Sequence, residues 1–293
     1  MVESSASAAG LEIDPNGAMD QLIRDGFCVV RNVLDGAMLA DLRRVTKRLL
    51  DETSAEHREH YKYQGSNIGV SYQDDVFARL IAWPKALDAL RTLGFLQPKW
   101  ASAYLLSKPP GAPPLYWHQD WWAWEEPCSA SATPPQLFLM YYLTDTTRAN
   151  GCLRVIPGTH RKRTTLHDQL LEAHTDPAYR AELNSPMFDD HPQALDVTVR
   201  AGDLVMGDAR VLHAAHANSS NDYRTCLTLW YFPEFEKLSE PVQAAMARKE
   251  PLQPPNWWTG DAGKAVEPLI PNYSGTAQPA KFCRIPGRFL SES

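Results

Sequence analysis

At 293 residues the chain is long enough to bury a large core, and it reads as one domain with additions. A net charge of −6 with no block of Lys or Arg excludes an electrostatic nucleic-acid footprint, and no apolar run reaches the length of a membrane-spanning helix. Five scattered cysteines, none spaced Cys-x-x-Cys, exclude a disulfide scaffold and a structural zinc site and suit a reducing cytoplasm.

Residues Met1–Pro15 are small and polar, and the first 16 residues are expected to be disordered. They lack the basic start and apolar run of a signal peptide, so a cytoplasmic location is expected. Gly17–Asp25 reads as a short helix and Phe27–Val30 as a short strand. Over Asp35–Leu50, Met38, Leu39, Leu42, Val45 and Leu49 recur near helical spacing and predict an amphipathic helix. Its cluster of Arg43, Arg44, Lys47 and Arg48 reads as a solvated face. Glu52–Tyr63 is the tail of that helix or a surface loop. Trp83–Leu93 is a further helix, entered through Pro84.

After Gly94 the pattern changes to short β-type runs separated by Pro, Gly and Asn. The expected strands are Trp100–Ser107, Leu115–Trp122, Gln136–Thr144, Cys152–Ile156, Asp196–Arg200, Asp203–Met206 and Arg224–Phe232. An insertion over 164–190 reads as helical through Leu166–Leu183. The region 233–293 is rich in Pro and Trp and is expected to wrap the core, over its mouth or at a subunit contact. Helices first and strands after predict a mainly β fold with flanking helices around a double-stranded β-helix, a jelly-roll of the cupin-like kind. The expected layout is a helical buttress over 17–95, a core over 96–232 and a C-terminal wrap, all in one domain.

Chemistry concentrates in His118-Gln119-Asp120. On a strand, side chains alternate with period two, so His118 and Asp120 would share a face. A second histidine from a distant strand, His213, would complete a two-histidine, one-carboxylate triad, which holds non-haem Fe(II) on one side and leaves the other open. Alone, the His-x-Asp string reads more readily as a buried histidine bonded to a nearby acid. Arg224 begins a strand in which Thr228 and Trp230 share its parity, and its guanidinium fork matches a carboxylate. By alternation Trp122 and Trp124 share the face of His118, whereas Trp117 and Trp121 point away.

Four segments together carry a resemblance. They are Asp25–Leu34, Ser107-Lys108-Pro109-Pro110 ahead of His118-Gln119-Asp120, the turn and strand Asn150–His160, and Leu212-His213 with Asn218 and Arg224. Over roughly residues 18–232 the chain resembles the phytanoyl-CoA dioxygenase family of Fe(II)- and 2-oxoglutarate-dependent oxygenases. The resemblance implies His118, Asp120 and His213 as iron ligands and O2 as co-substrate. It implies Arg224 as the grip on the distal carboxylate of 2-oxoglutarate and Lys108 as a further contact. Met140 stands where some relatives carry a tryptophan beside the co-substrate. His216 competes for the third ligand position, and the spacing to Asn218 and Arg224 favours His213. Trp122, Trp124, Gln64, Asn67 and Tyr72 are candidates for the substrate pocket. His57, His60, His167, His174 and His191 sit in polar segments and read as solvated, His160 as structural or surface. Asp208 stays open between a surface acid, a cap and a partner of a ligand.

The implied activity is hydroxylation of a small-molecule metabolite, such as a natural-product intermediate of secondary metabolism, with release of succinate and CO2. Competing readings are a zinc hydrolase or lyase on a cupin-like barrel, and a non-catalytic metal-binding module of the same fold. No nucleic acid and no membrane are expected as partners, and a homodimer is left open.

Overall fold

The computed structural model describes residues 15–247 and 260–292. Residues 1–14, most of the stretch expected to be disordered, lie outside them, as does 248–259 of the C-terminal wrap. Three layers build the fold: helices, a six-stranded sheet and a four-stranded sheet.

The helices are α1 (Pro15–Asp25), α2 (Gly36–Asp51), α3 (Ala55–His60), α4 (Asp75–Ile81) and α5 (Pro84–Thr92), with α6 (Asp176–Tyr179), α7 (Glu240–Ala247) and α8 (Asp261–Val266) later in the chain. Asp35 caps α2 by accepting a hydrogen bond from the Met38 amide at 2.8 Å, satisfying a first-turn N–H that has no partner within the helix. Below the cap, α2 buries Met38, Leu42, Val45 and Leu49, as the helical spacing predicts. The sequence reading did not separate α3 and α4. α3 is short and buries nothing, while α4 buries Val76, Phe77, Ala78, Leu80 and Ile81 on all sides and so shows no amphipathic period.

The strands are β1 (Phe27–Val30), β2 (Ile68–Gly69), β3 (Lys99–Lys108), β4 (Leu115–His118), β5 (Leu137–Tyr142), β6 (Leu153–Val155), β7 (Lys162–Arg163), β8 (Leu195–Val197), β9 (Leu204–Asp208), β10 (His213–Ala215), β11 (Arg224–Phe232) and β12 (Ser291–Glu292). The large sheet runs β1-β9-β5-β11-β3-β2 and the smaller β4-β10-β6-β8. Adjacent strands in both are antiparallel. This is the mainly β, helix-flanked jelly-roll expected.

Alternation divides the large sheet cleanly. Leu137, Leu139, Tyr141, Leu204, Met206, Leu227, Leu229 and Tyr231 pack under the helices. Their neighbours Phe138, Met140, Tyr142, Val205 and Cys226 face the smaller sheet. The site lies in this inner space.

Two expectations are corrected. β4 stops at His118 rather than running to Trp122, because the amides of Asp120 and Trp121 both turn to the carbonyl of Ala209, at 2.9 and 2.8 Å. The insertion is not one helix. It breaks into a 3-10 turn at Thr165–Gln169, the short α6 and a second 3-10 turn at Pro186–Phe188. His174 stands between them on left-handed backbone, φ 61°, which ends any helix there.

Gly207 on β9 makes room for a ring. An added Cβ would fall 2.0 Å from Cζ of Phe138, and the Phe138 ring packs against the His213 imidazole, centroids 5.0 Å apart. Gly207→Ala is therefore expected to cost about 1–3 kcal/mol by overpacking and to weaken Ni(II) binding by pushing on His213. Urea unfolding and metal titration check both; a variant as stable and as metal-competent as the parent contradicts this account.

Candidate metal centre

Register places the two histidines. Across the antiparallel pair β4–β10, His213 lies directly opposite His118, and the ring centroids are 4.2 Å apart. His118 Nδ1 faces the Tyr116 carbonyl at 3.0 Å, and His213 Nδ1 faces that of Val211 at 3.1 Å. A carbonyl only accepts, so in each ring Nδ1 carries the proton and Nε2 turns its lone pair inward. Each Nε2 lies 3.7 Å from an Asp120 carboxylate oxygen. That is too long for a hydrogen bond, yet the three ligand atoms all lie within 4.8 Å of one another. Two neutral nitrogens and one carboxylate, converging with no hydrogen bond among them, fit a divalent metal. Burial lowers the pKa of both histidines, which keeps them in the neutral, ligating form.

Burial opposes ionisation of Asp120, but the attraction of His213, His174 and His118 outweighs it and holds the carboxyl below its usual range. Two donors orient the group. Trp230 Nε1 donates to one oxygen at 3.0 Å, and His174 Nε2 meets the other at 3.2 Å. The backbone of Asp120 hangs on the Ala209 carbonyl, and a fully buried ion pair, Asp208 with Arg210 at 2.6 Å, brackets Ala209. Arg210 also donates to the carbonyls of Ser129, Ser131 and Thr133.

The triad opens into a cavity of about 330 Å³. Arg224 lines it and is buried, with Nη1 on the Cys226 sulfur at 3.2 Å and Nε without a partner. Thr228 Oγ1, also at the cavity, is likewise unpaired. Buried donors left open in this way suit an anionic ligand, and the guanidinium fork of Arg224 matches the geometry of a carboxylate.

Met140, Gln64, Asn67 and Trp122 line the cavity. Lys108, Tyr72 and Trp124 do not. The Lys108 ammonium is buried and donates to the Pro113 carbonyl, and burial followed by the charge of Arg224 pulls its pKa well down. Its stem runs along Gly151, where a Cβ would fall 2.9 Å from Lys108 Cδ; the Asn-Gly turn, φ 89° at Gly151, exists partly to let it pass. Tyr72 packs edge-on to Trp100. Trp124 is enclosed with Phe235, Val242 and Leu290, because the chain has left the sheet before reaching it and alternation no longer applies.

The rival ligand His216 is tied to Asp196 at 2.6 Å, which Arg148 also holds at 3.3 Å. Cys152 completes this second cluster, but burial pushes its thiol up to about 12 and also lowers the pKa of His216, so the group is a hydrogen-bonded histidine and carboxylate beside a neutral thiol. Asn218 is structural, its amide donating to the carbonyls of Lys108 and Asp222. So is His160, whose Nε2 meets the Ile23 carbonyl at 3.0 Å. His167 and His174 are not solvated as expected. His167 caps its own 3-10 turn through Thr164, and His174 reaches the centre. The sequence reading missed Arg210, Trp230 and His174 as supports of Asp120. Only Trp230 left a signal, its shared parity with Arg224.

The phytanoyl-CoA dioxygenase (PhyH) family model matches residues 22–226. The ectoine dioxygenase of Bordetella parapertussis is 24% identical over 268 residues, covering 84% of this chain and 82% of that protein. The ectoine dioxygenase of Halomonas elongata is 26% identical, covering 83% and 78%. Among solved structures, HygX from Streptomyces hygroscopicus, with nickel and 2-oxoglutarate bound, superposes with a TM-score of 0.56 at 20% identity, covering 74% of this chain and 86% of that one.

Arg210→Met strands the Asp208 carboxylate in the interior, and the expected cost is about 3–5 kcal/mol in urea unfolding. Adding Asp208→Asn removes the stranded charge and is expected to recover much of that loss. If the double variant is no better than the single, the buried pair is not what holds this segment.

Proposed function

Because this chain belongs to the phytanoyl-CoA dioxygenase family and is a non-haem iron, 2-oxoglutarate-dependent dioxygenase, we propose that it hydroxylates a small-molecule metabolite with release of succinate and CO2. The observation that carries this reading is the meeting of the His118, Asp120, His213 set with an unpaired, buried Arg224 in one cavity. A zinc hydrolase has no need of that arginine.

His118, Asp120 and His213 would hold the iron, and the cavity beside them would take the co-substrate. When bound, the metal and 2-oxoglutarate would supply the oxidising power for hydroxylation. Arg224 would pair with the far carboxylate of 2-oxoglutarate and so orient it. Trp230 and His174 keep the Asp120 carboxylate ionised and aimed. Leu106, Met140, Tyr142 and Leu153 wall the cavity with apolar surface and limit water at the reacting centre. Asp120 fills the position that a halide would need, so hydroxylation is favoured over halogenation.

At about 330 Å³ the cavity lies near the small end of ligand sites. It must hold both co-substrate and the reacting part of the substrate, which favours a compact metabolite over an acyl-CoA. All five cysteines are free, which suits a reducing cytoplasm. Among the described residues no helix is long and apolar enough to cross a membrane.

His118→Ala and Asp120→Ala are each expected to abolish succinate release in a screen over a metabolite panel with product masses measured; full turnover in either removes that residue from the mechanism. Arg224→Ala is expected to raise the KM for 2-oxoglutarate about 10- to 100-fold, the loss of a charge-assisted pair, with iron binding retained. An unchanged KM refutes the assignment.

A further inference from the structure

The cavity holds a second arginine with no assigned task. Arg284 lines it beside Tyr179 and His174 and comes from the C-terminal wrap. Its backbone is fixed at two points: the Arg284 amide donates to Glu172 Oε1 at 2.9 Å, and that of neighbouring Cys283 donates to the Trp122 carbonyl at 2.7 Å. Phe282 stacks on Trp122, ring centroids 4.1 Å apart. The chain thus crosses the mouth in a defined position and presents the Arg284 side chain inward.

That side chain is half-buried, and its Nε is buried with no hydrogen-bond partner. Among the described residues no carboxylate oxygen lies within 4.0 Å of its guanidinium. Asp120 is the only acid among the residues lining the cavity, and it serves the metal. Glu172, the carboxylate beside Arg284, accepts from its backbone amide, and the buried Nε of the guanidinium has no partner. A half-buried guanidinium facing a small cavity calls for an anionic partner from the ligand side.

We propose that Arg284 anchors a carboxylate of the primary substrate, so that the enzyme acts on compact monoanionic carboxylic acids. This rests on the dioxygenase reading above and narrows it. The carboxylate pairs with the Arg284 fork, and the rest of the molecule extends between Tyr104, Trp230 and the metal. One carboxylate satisfies the open edge of the guanidinium, whereas a phosphate dianion brings more charge than that single cation offers.

The test is a panel of small carboxylic acids, their methyl esters, and phosphate monoesters. It is read by succinate release and by thermal shift of the protein loaded with Ni(II) and 2-oxoglutarate. Acids are expected to be turned over and to stabilise the loaded protein, and their esters are not. Arg284→Gln is expected to raise KM for the acid hits about 10- to 100-fold, to remove their thermal shift, and to leave 2-oxoglutarate affinity unchanged. Esters turned over as well as acids, phosphate esters as the sole hits, no acid hit despite intact 2-oxoglutarate binding, or unaltered KM in Arg284→Gln each overturn the assignment. Failure to bind 2-oxoglutarate at all in the wild type overturns the dioxygenase reading instead.

Discussion

One backbone pairing governs this molecule's site. His213 sits across from His118 in the short ladder between β4 and β10, which sets the two imidazoles side by side with centroids 4.2 Å apart. Side-chain direction alternates along a strand, so a slip of one residue would send one ring to the opposite face. The ladder is only a few residues long, and its register is held from outside. Trp117, Ile156, Leu166, Leu212 and Ala214 fix the outer face, while Phe138 bears on His213 from within. The packed core acts here as a jig for two nitrogens.

The carboxylate is positioned by different means. Asp120 lies beyond the end of β4, where the sheet no longer dictates direction. Its place is set instead by the Ala209 carbonyl and by the buried pair Asp208–Arg210, which also gathers the 129–133 loop. A buried ion pair adds little net stability compared with apolar packing. What this one contributes is definition: its many hydrogen bonds admit a single arrangement of three chain segments around the ligand.

What the sequence disclosed and what it withheld divide along the same line. The helix of α2, the strands β1 and β11 and the inward parity of Arg224, Thr228 and Trp230 follow from period and alternation, which are local. His118, Asp120 and His213 were legible because ligand types and spacing survive without coordinates. Trp124 and the insertion helix were misread for a common reason. Both readings extended a local period past the point where tertiary hydrogen bonds end it, at the Ala209 carbonyl in one case and at left-handed His174 in the other. Lys108 entered the reading by resemblance alone; it pairs with Arg224 across the ladder, and its ammonium donates to a carbonyl five residues on. The supports of Asp120 could not be read at all, since Arg210 and His174 gain meaning only from residues 50 to 90 positions away.

The metal-facing side chains stand on or beside sheet strands, whereas Arg284 and Phe282 arrive on a C-terminal connecting segment beside the cavity. Such segments tolerate insertion and replacement far better than strands do. The C-terminal tail can therefore vary with little consequence for the strands that carry the two histidines, while the insertion loop cannot, because His174 ties it to Asp120.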